Sequence, residues 1–129
     1  MDDNRWNQLV IDIEGDDIEL MVEACEHLQN EAEISDVSRL VKLLEYESFV
    51  VREAAAWPLA ILGDATVIPE LFTAYQRGFE DGHDNDGFSA ALAGMAELHP
   101  QPVRQMLLEL KNSTNPDFKK YPNWLLEFC

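Results

Sequence analysis

The sequence is poor in cysteine, in basic residues, in catalytic motifs and in long apolar runs, and each shortage excludes a class of protein. Its two cysteines, Cys25 and Cys129, are too few to build a disulfide framework. The chain opens Met-Asp-Asp-Asn, with neither the basic nor the apolar region of a secretory signal. No apolar run approaches the roughly 18 residues that span a bilayer. These features lead us to expect a soluble protein of the reducing cytoplasm. Only 9 basic residues stand against 25 acidic ones, a net charge of -16. A nucleic-acid-binding surface needs a basic groove, and here Lys111, Lys119 and Lys120 gather only near the C-terminal end. Nucleic acid and anionic membrane are therefore not expected partners.

Motifs that carry chemistry are also missing. There is no HExxH, CxxC, phosphate-binding glycine loop or GxSxG. Cys25 and His27 are neighbours in sequence, but two steps along a helix turn them about 200° apart. We therefore expect no catalytic residue, no cofactor and no metal, and a chain that is not an enzyme. The acidic segment "EDGHDNDG" (residues 80–87) is dense in oxygen ligands but lacks the EF-hand order of acids and glycine. It reads as a solvated insert that caps the next helix through Asp84 or Asp86, or as a loop that touches a partner.

What is present is helical. Hydrophobic residues make up 47% of the chain, enough for one globular domain over residues 1–129. Apolar positions recur at helical spacing, predicting helices at about 4–13, 16–31, 36–46, 48–62, 65–77, 86–98, 100–112 and 118–127. Gly15, Ser35-Asp36 and Gly63-Asp64 mark breaks. Pro69 falls in a first turn, where its missing N–H costs little.

The pattern repeats along the chain. A shift of 31 residues carries Ala24 onto Ala55, Leu28 onto Leu59 and Leu40 onto Leu71. A shift of 36 carries Ala55 onto Ala91, Leu59 onto Met95, Val67 onto Val103 and Leu71 onto Leu107. The five additional residues fall in the loop at 78–87. The unit is a helical hairpin present roughly four times, with alanines where its helices approach closely. One hairpin cannot bury its apolar faces, so stacking is required.

The stretch "VVREAAAWPLAILGDATVIPELFTAY" (residues 50–75) resembles a HEAT repeat of the short phycobilisome-lyase type. Val51, Arg52, Ala55, Ala56, Leu59, Leu62, Gly63, Asp64, Ile68, Pro69 and Leu71 fit that family's V-R-x-x-A-A-x-x-L-x-x-L-G-D pattern and the apolar helix that follows it. The resemblance implies an all-α fold, a short right-handed solenoid of about four HEAT-like hairpins. It also implies that Arg52 pairs with Asp64 or Glu33, and that the chain chiefly binds other macromolecules.

Trp57-Pro58 departs from that pattern. A proline inside a helix costs about 3 kcal/mol, and is expected here to kink the helix and turn Trp57 outward. Glu53, Trp57 and Ala60 share a stripe away from the core stripe. The equivalent stripe is Val22, Glu26 and Gln29 in the preceding unit, with Glu19 and Glu23 beside it, and Ser89, Ala93 and Ala96 in the following one. Trp57 reads either as a binding anchor or as a core side chain folded over a neighbouring repeat. Charge is also lopsided: residues 1–36 hold 12 of the acids and one base, a net of -11. This combination suggests a protein-binding module. Its most concrete form is an immunity protein that neutralises a cationic, nuclease-type toxin domain. The contact residues would be Glu19, Glu23, Glu26, Glu53, Trp57, Asp81, Asp84 and Asp86. A generic adaptor or assembly factor is the alternative, and a lyase-type enzyme subunit a more distant one.

Overall fold

Side-chain caps decide where the helices begin. In the computed structural model, which describes residues 1–129, Asp2 accepts from the Arg5 N–H at 2.8 Å and opens α1 (Asp3–Glu14). Asp17 accepts from the N–H groups of Glu19 and Leu20 and opens α2 (Ile18–Glu31). A 3-10 turn at Ile34–Asp36 leads into α3 (Val37–Leu43). Ser48 caps α4 (Phe49–Leu62). Asp64 caps a second 3-10 turn, Ala65–Val67, which runs into α5 (Ile68–Glu80). Then come α6 (Asp86–Leu98), α7 (Pro100–Leu110), α8 (Pro116–Lys119) and α9 (Pro122–Leu126). Prolines occupy the first turns of α5, α7, α8 and α9, where no intrahelical N–H is needed.

The fold is all-helical, with no strand. The helix expected at 118–127 is instead the two short turns α8 and α9, because Pro122 cannot donate back to the preceding turn. The helix expected at 36–46 ends at Leu43.

Packing centres on α4. It lies between α2 and α6 and also touches α1, α3 and α5. Several positions aligned by the shifts of 31 and 36 share their burial. Ala24, Ala55 and Ala91 are all buried, as are Leu28, Leu59 and Met95, and Leu40, Leu71 and Leu107. The equivalence weakens at the ends. Leu20 is 46% exposed where its counterpart Val51 is 0%, because only α4 has an equivalent helix on both sides. The C-terminal end is closed by aromatics. Tyr121 packs on Phe72 and Tyr75 at ring distances of 5.6 and 4.8 Å, and its hydroxyl donates to Gln76 Oε1. Burial, reinforced by Tyr75, Asp117 and Glu80, pushes the Tyr121 phenol up to about 12.

Pro58 is accommodated without ending α4, which continues to Leu62 with the proline ring buried. Trp57 is not turned out into solvent. It is half-buried and packed against the core.

Arg52 is fully buried and structural, but not through the partners the repeat pattern implied. Its Nη1 donates to the carbonyls of Tyr46 and Glu47 at 2.7 and 2.9 Å, and Nη2 lies 3.6 Å from Asp81. Asp64 and Glu33 are engaged elsewhere. Asp64 caps the second 3-10 turn and Glu33 shares a capping box with Asp36. Burial lowers the Arg52 pKa, with neighbouring Arg77 adding to the effect and Asp81 and Glu47 opposing it.

At the other end, Asp36 is buried and accepts from the Glu33 N–H at 2.8 Å and from Arg39, with the Met1 ammonium 3.4 Å away. Arg39 in turn stacks on Trp6 at 4.5 Å. Burial alone would raise the Asp36 pKa. The hydrogen bonds from Arg39, the Glu33 N–H and the ammonium outweigh it, and the net shift is downward. A depressed carboxylate stabilises the fold above the ordinary carboxylate range and loses that contribution as pH falls through the folded value. Asp36→Asn should therefore cost about 2–3 kcal/mol at neutral pH. The difference from wild type should shrink in acid, as read by urea unfolding at a series of pH values.

Candidate functional site

The outward rows of α2, α4 and α6 form one continuous face. Glu19, Glu23 and Glu26, at i, i+4 and i+7, are exposed on α2, and none of them takes part in an ion pair. On the adjoining α4, Val50, Ala54, Trp57 and Ile61 form an apolar column at the same helical spacing, which α2 meets through Cys25 and Gln29. Val50 is 36% and Ile61 44% exposed. The next helix contributes Asp86, Ala90, Ala93 and Glu97. The face thus runs from acidic, through apolar, to small and acidic.

Its column assignments differ in part from the sequence expectation. Ala60 and Ala96 are fully buried, and Ser89 turns inward so that its hydroxyl lies 2.6 Å from the Tyr75 hydroxyl. A whole-number shift between repeats cannot follow the rotation of one helix about its neighbour. The error is about one residue, or 100°.

Two glycines that sequence reasoning passed over shape the site. A Cβ on Gly87 would lie 2.7 Å from Glu53 Cδ, and one on Gly94 would lie 2.9 Å from Trp57 Cζ3. Gly87 and Gly94 are seven residues apart and therefore on one side of α6. Their bare backbone admits the Glu53 carboxylate and the Trp57 ring against α6. The seven-residue spacing was the signal available in the sequence.

Glu53 stands between two adjoining recesses. One is lined by Cys25, Gln29, Val50, Ala54 and Trp57, the other by Phe49, His83, Asp84 and Asp86, and Glu53 and Gly87 belong to both. Burial pushes the Glu53 carboxyl up, Asp84 and Asp86 push it further, and His83 opposes them. It is a half-buried carboxylate in acidic surroundings with no ion-pair partner. Burial and Glu53 likewise raise the Cys25 thiol, which keeps it protonated and a poor nucleophile.

The loop between α5 and α6 is held in place by buried contacts. Asn85 Nδ2 donates to the Tyr75 carbonyl at 2.9 Å. A Cβ on Gly78 would meet Asn85 Oδ1 at 2.2 Å. His83 stacks on Phe49 at 4.3 Å, nearly coplanar at 8°. The acids of this segment fall into two settings. Asp84 accepts from the Asp86 N–H at 2.9 Å, and Asp86 lines the recess with Glu53. Asp81 faces Arg52 and Arg77 at 3.6 and 3.7 Å, so its charge is committed within the molecule. The structure therefore brings Glu53 together with Trp57 in one recess and with Asp84 and Asp86 in the other. It leaves Glu19, Glu23 and Glu26 on the outer side of α2 and sets Asp81 apart.

No group of three His, Cys, Asp or Glu side chains is arranged to hold a metal ion, and no helix is long and apolar enough to cross a membrane. A wider hollow on α7 is lined by Pro102, Arg104, Gln105, Leu108 and Glu109. It carries one charge of each sign and no aromatic side chain. Comparison with known family models, with curated proteins and with solved structures finds no match.

Glu53→Gln should stabilise the fold at neutral pH by roughly a few tenths of a kcal/mol, since solvent screens part of the repulsion. A carboxyl whose pKa is raised on folding penalises the folded state only while charged. The gain in melting temperature should therefore vanish as pH falls below the ordinary carboxylate range. Gly78→Ala should cost about 2 kcal/mol by displacing Asn85 and breaking its bond to Tyr75, measured by chemical unfolding.

Proposed function

We propose that the chain is a protein-binding module of the cytoplasm, a short right-handed solenoid of HEAT-like hairpins, and that it acts as an immunity protein for a cationic, nuclease-type toxin domain. One observation supports this most. An uncompensated Glu53 adjoins an apolar column containing Trp57, and the neighbouring α2 carries three exposed, unpaired carboxylates. Structural ion pairs take up Glu31, Asp36 and Asp81 elsewhere, whereas Glu19, Glu23, Glu26 and Glu53 have no internal partner. A basic partner would supply what these groups lack, and the net charge of -16 would accelerate its capture. Trp57 has the character of an interface anchor, a large ring half-buried against Gly94 of α6 and lining a surface recess. The outward row of small residues on α6 would let a partner approach closely.

The exposed Val50 and Ile61 favour a second reading, an adaptor that docks through apolar area alone. Salt separates the two, because screening weakens charged association and leaves apolar contact intact. The test is affinity capture from the native host with the wild-type chain and with the Trp57→Ala/Glu23→Lys double variant, each washed at low and high salt. The expected result is one basic protein whose nuclease activity the wild type inhibits. Salt should weaken its binding, and the double variant should bind it about 100-fold less tightly. A salt-resistant multi-subunit assembly, or equal capture by the variant, would overturn the immunity reading.

A further inference from the structure

We infer that the occupant of the α2–α4–α6 face is a basic amphipathic α-helix of the partner. It would lie along the Val50–Ile61 column with an apolar side chain on Trp57 and a Lys or Arg side chain in the recess of Glu53, Asp84 and Asp86. This rests on the proposed partner-binding reading and specifies the partner's chemistry.

Three observations carry it. First, the apolar column runs from Val50 to Ile61 of α4, about 16 Å along the axis, which is the contact length of roughly three helical turns and long for a single inserted loop. Second, Glu53 and Trp57 are one turn apart, about 6 Å along the axis. That matches the i, i+4 separation of a cationic and an apolar side chain on one face of a helix. Third, the fold has no strand and so offers no sheet edge to an extended peptide. A segment laid on an apolar column must satisfy its own backbone, which a helix does.

Charge complementarity selects the sign. Asp86 and Glu97 lie on the outward row of α6, and Asp84 and Asp86 line one recess with Glu53. α2 meets the column through Cys25 and Gln29 and carries the exposed Glu19, Glu23 and Glu26 further round the helix. A second copy of this chain would set those carboxylates against their own kind, so self-association through this face is disfavoured. A basic helix would neutralise the acids on the α6 side and give Glu53 its missing counter-charge.

The probe is a synthetic peptide of about 14 residues, roughly four turns, made of leucine and lysine in helical register. A peptide of the same composition with the register scrambled is the control. Binding to the intact chain is measured by calorimetry and by amide NMR shifts. The in-register peptide is expected to bind at least tenfold more tightly than the scrambled one, with shifts at Val50, Glu53, Ala54, Trp57 and Gly87. Glu53→Gln and Trp57→Ala should each weaken it about fivefold or more, while Glu109→Gln on α7 should leave it unchanged. Glu53→Gln keeps the test sound even if Trp57→Ala unfolds the chain. Equal binding of the two peptides, shifts spread over Asp2, Asp3 and α7, or no effect of Glu53→Gln would overturn the inference. The two readings fail separately. Inhibition of a basic toxin that is indifferent to Glu53→Gln sinks the helix inference alone. Peptide binding at α4 with no basic protein captured sinks the immunity reading alone.

Discussion

Close approach to α4 is the constraint on which the rest of the molecule depends. Helices pack 8–10 Å apart according to the side chains between them, and here alanine and glycine keep that separation small. Ala55 and Ala91 are buried within the layer, and Gly87 and Gly94 leave room for Glu53 and Trp57. Bulkier residues would push α6 away and open the core around Leu59 and Met95. The same closeness sets the width of the outer face and places the α5–α6 loop within reach of Glu53. Core packing and the shape of the candidate site thus have one physical cause.

A second device ties the loop to that core. Arg52 is a long cation buried beneath Phe49, with its ring-to-guanidinium distance at 5.6 Å. It holds the Tyr46 and Glu47 carbonyls on one side and reaches Asp81 on the other. The segment before α4 and the segment after α5 are thereby fixed to the same side chain. Asn85 anchors the far end of the loop through Tyr75. His83, Asp84 and Asp86 are consequently displayed from a supported turn, and they are presented beside an α4 position that is itself rigid.

Glu53 shows the opposite economy. Most acids of this very acidic chain are either fully solvated or paired, but Glu53 is drawn half out of water beside two further carboxylates. That arrangement opposes folding and is maintained by a glycine on the neighbouring helix. The basic partner proposed above would relieve that charge. The exposed glutamates of α2 extend the same potential without any strain of their own.

Much of the architecture was legible in the sequence because it depends on local chemistry. Capping residues, first-turn prolines and helical periodicity located the helices from Asp3 to Leu110. The burial of Ala24, Ala55 and Ala91 followed from a repeat visible by sliding the chain on itself. The acidic row of Glu19, Glu23 and Glu26 was equally plain, because one helix and its spacing define it. Tertiary structure alone decided what depends on how two helices are rotated and spaced. It moved Ala60, Ser89 and Ala96 inward, bound Arg52 to Asp81 instead of Asp64 or Glu33, and committed Asp81 internally. It also seated Trp57 on Gly94 despite Pro58. Periodicity determines which residues share a face of one helix, but the meeting of two faces depends on contacts between residues far apart in the chain, and no local pattern encodes those distances.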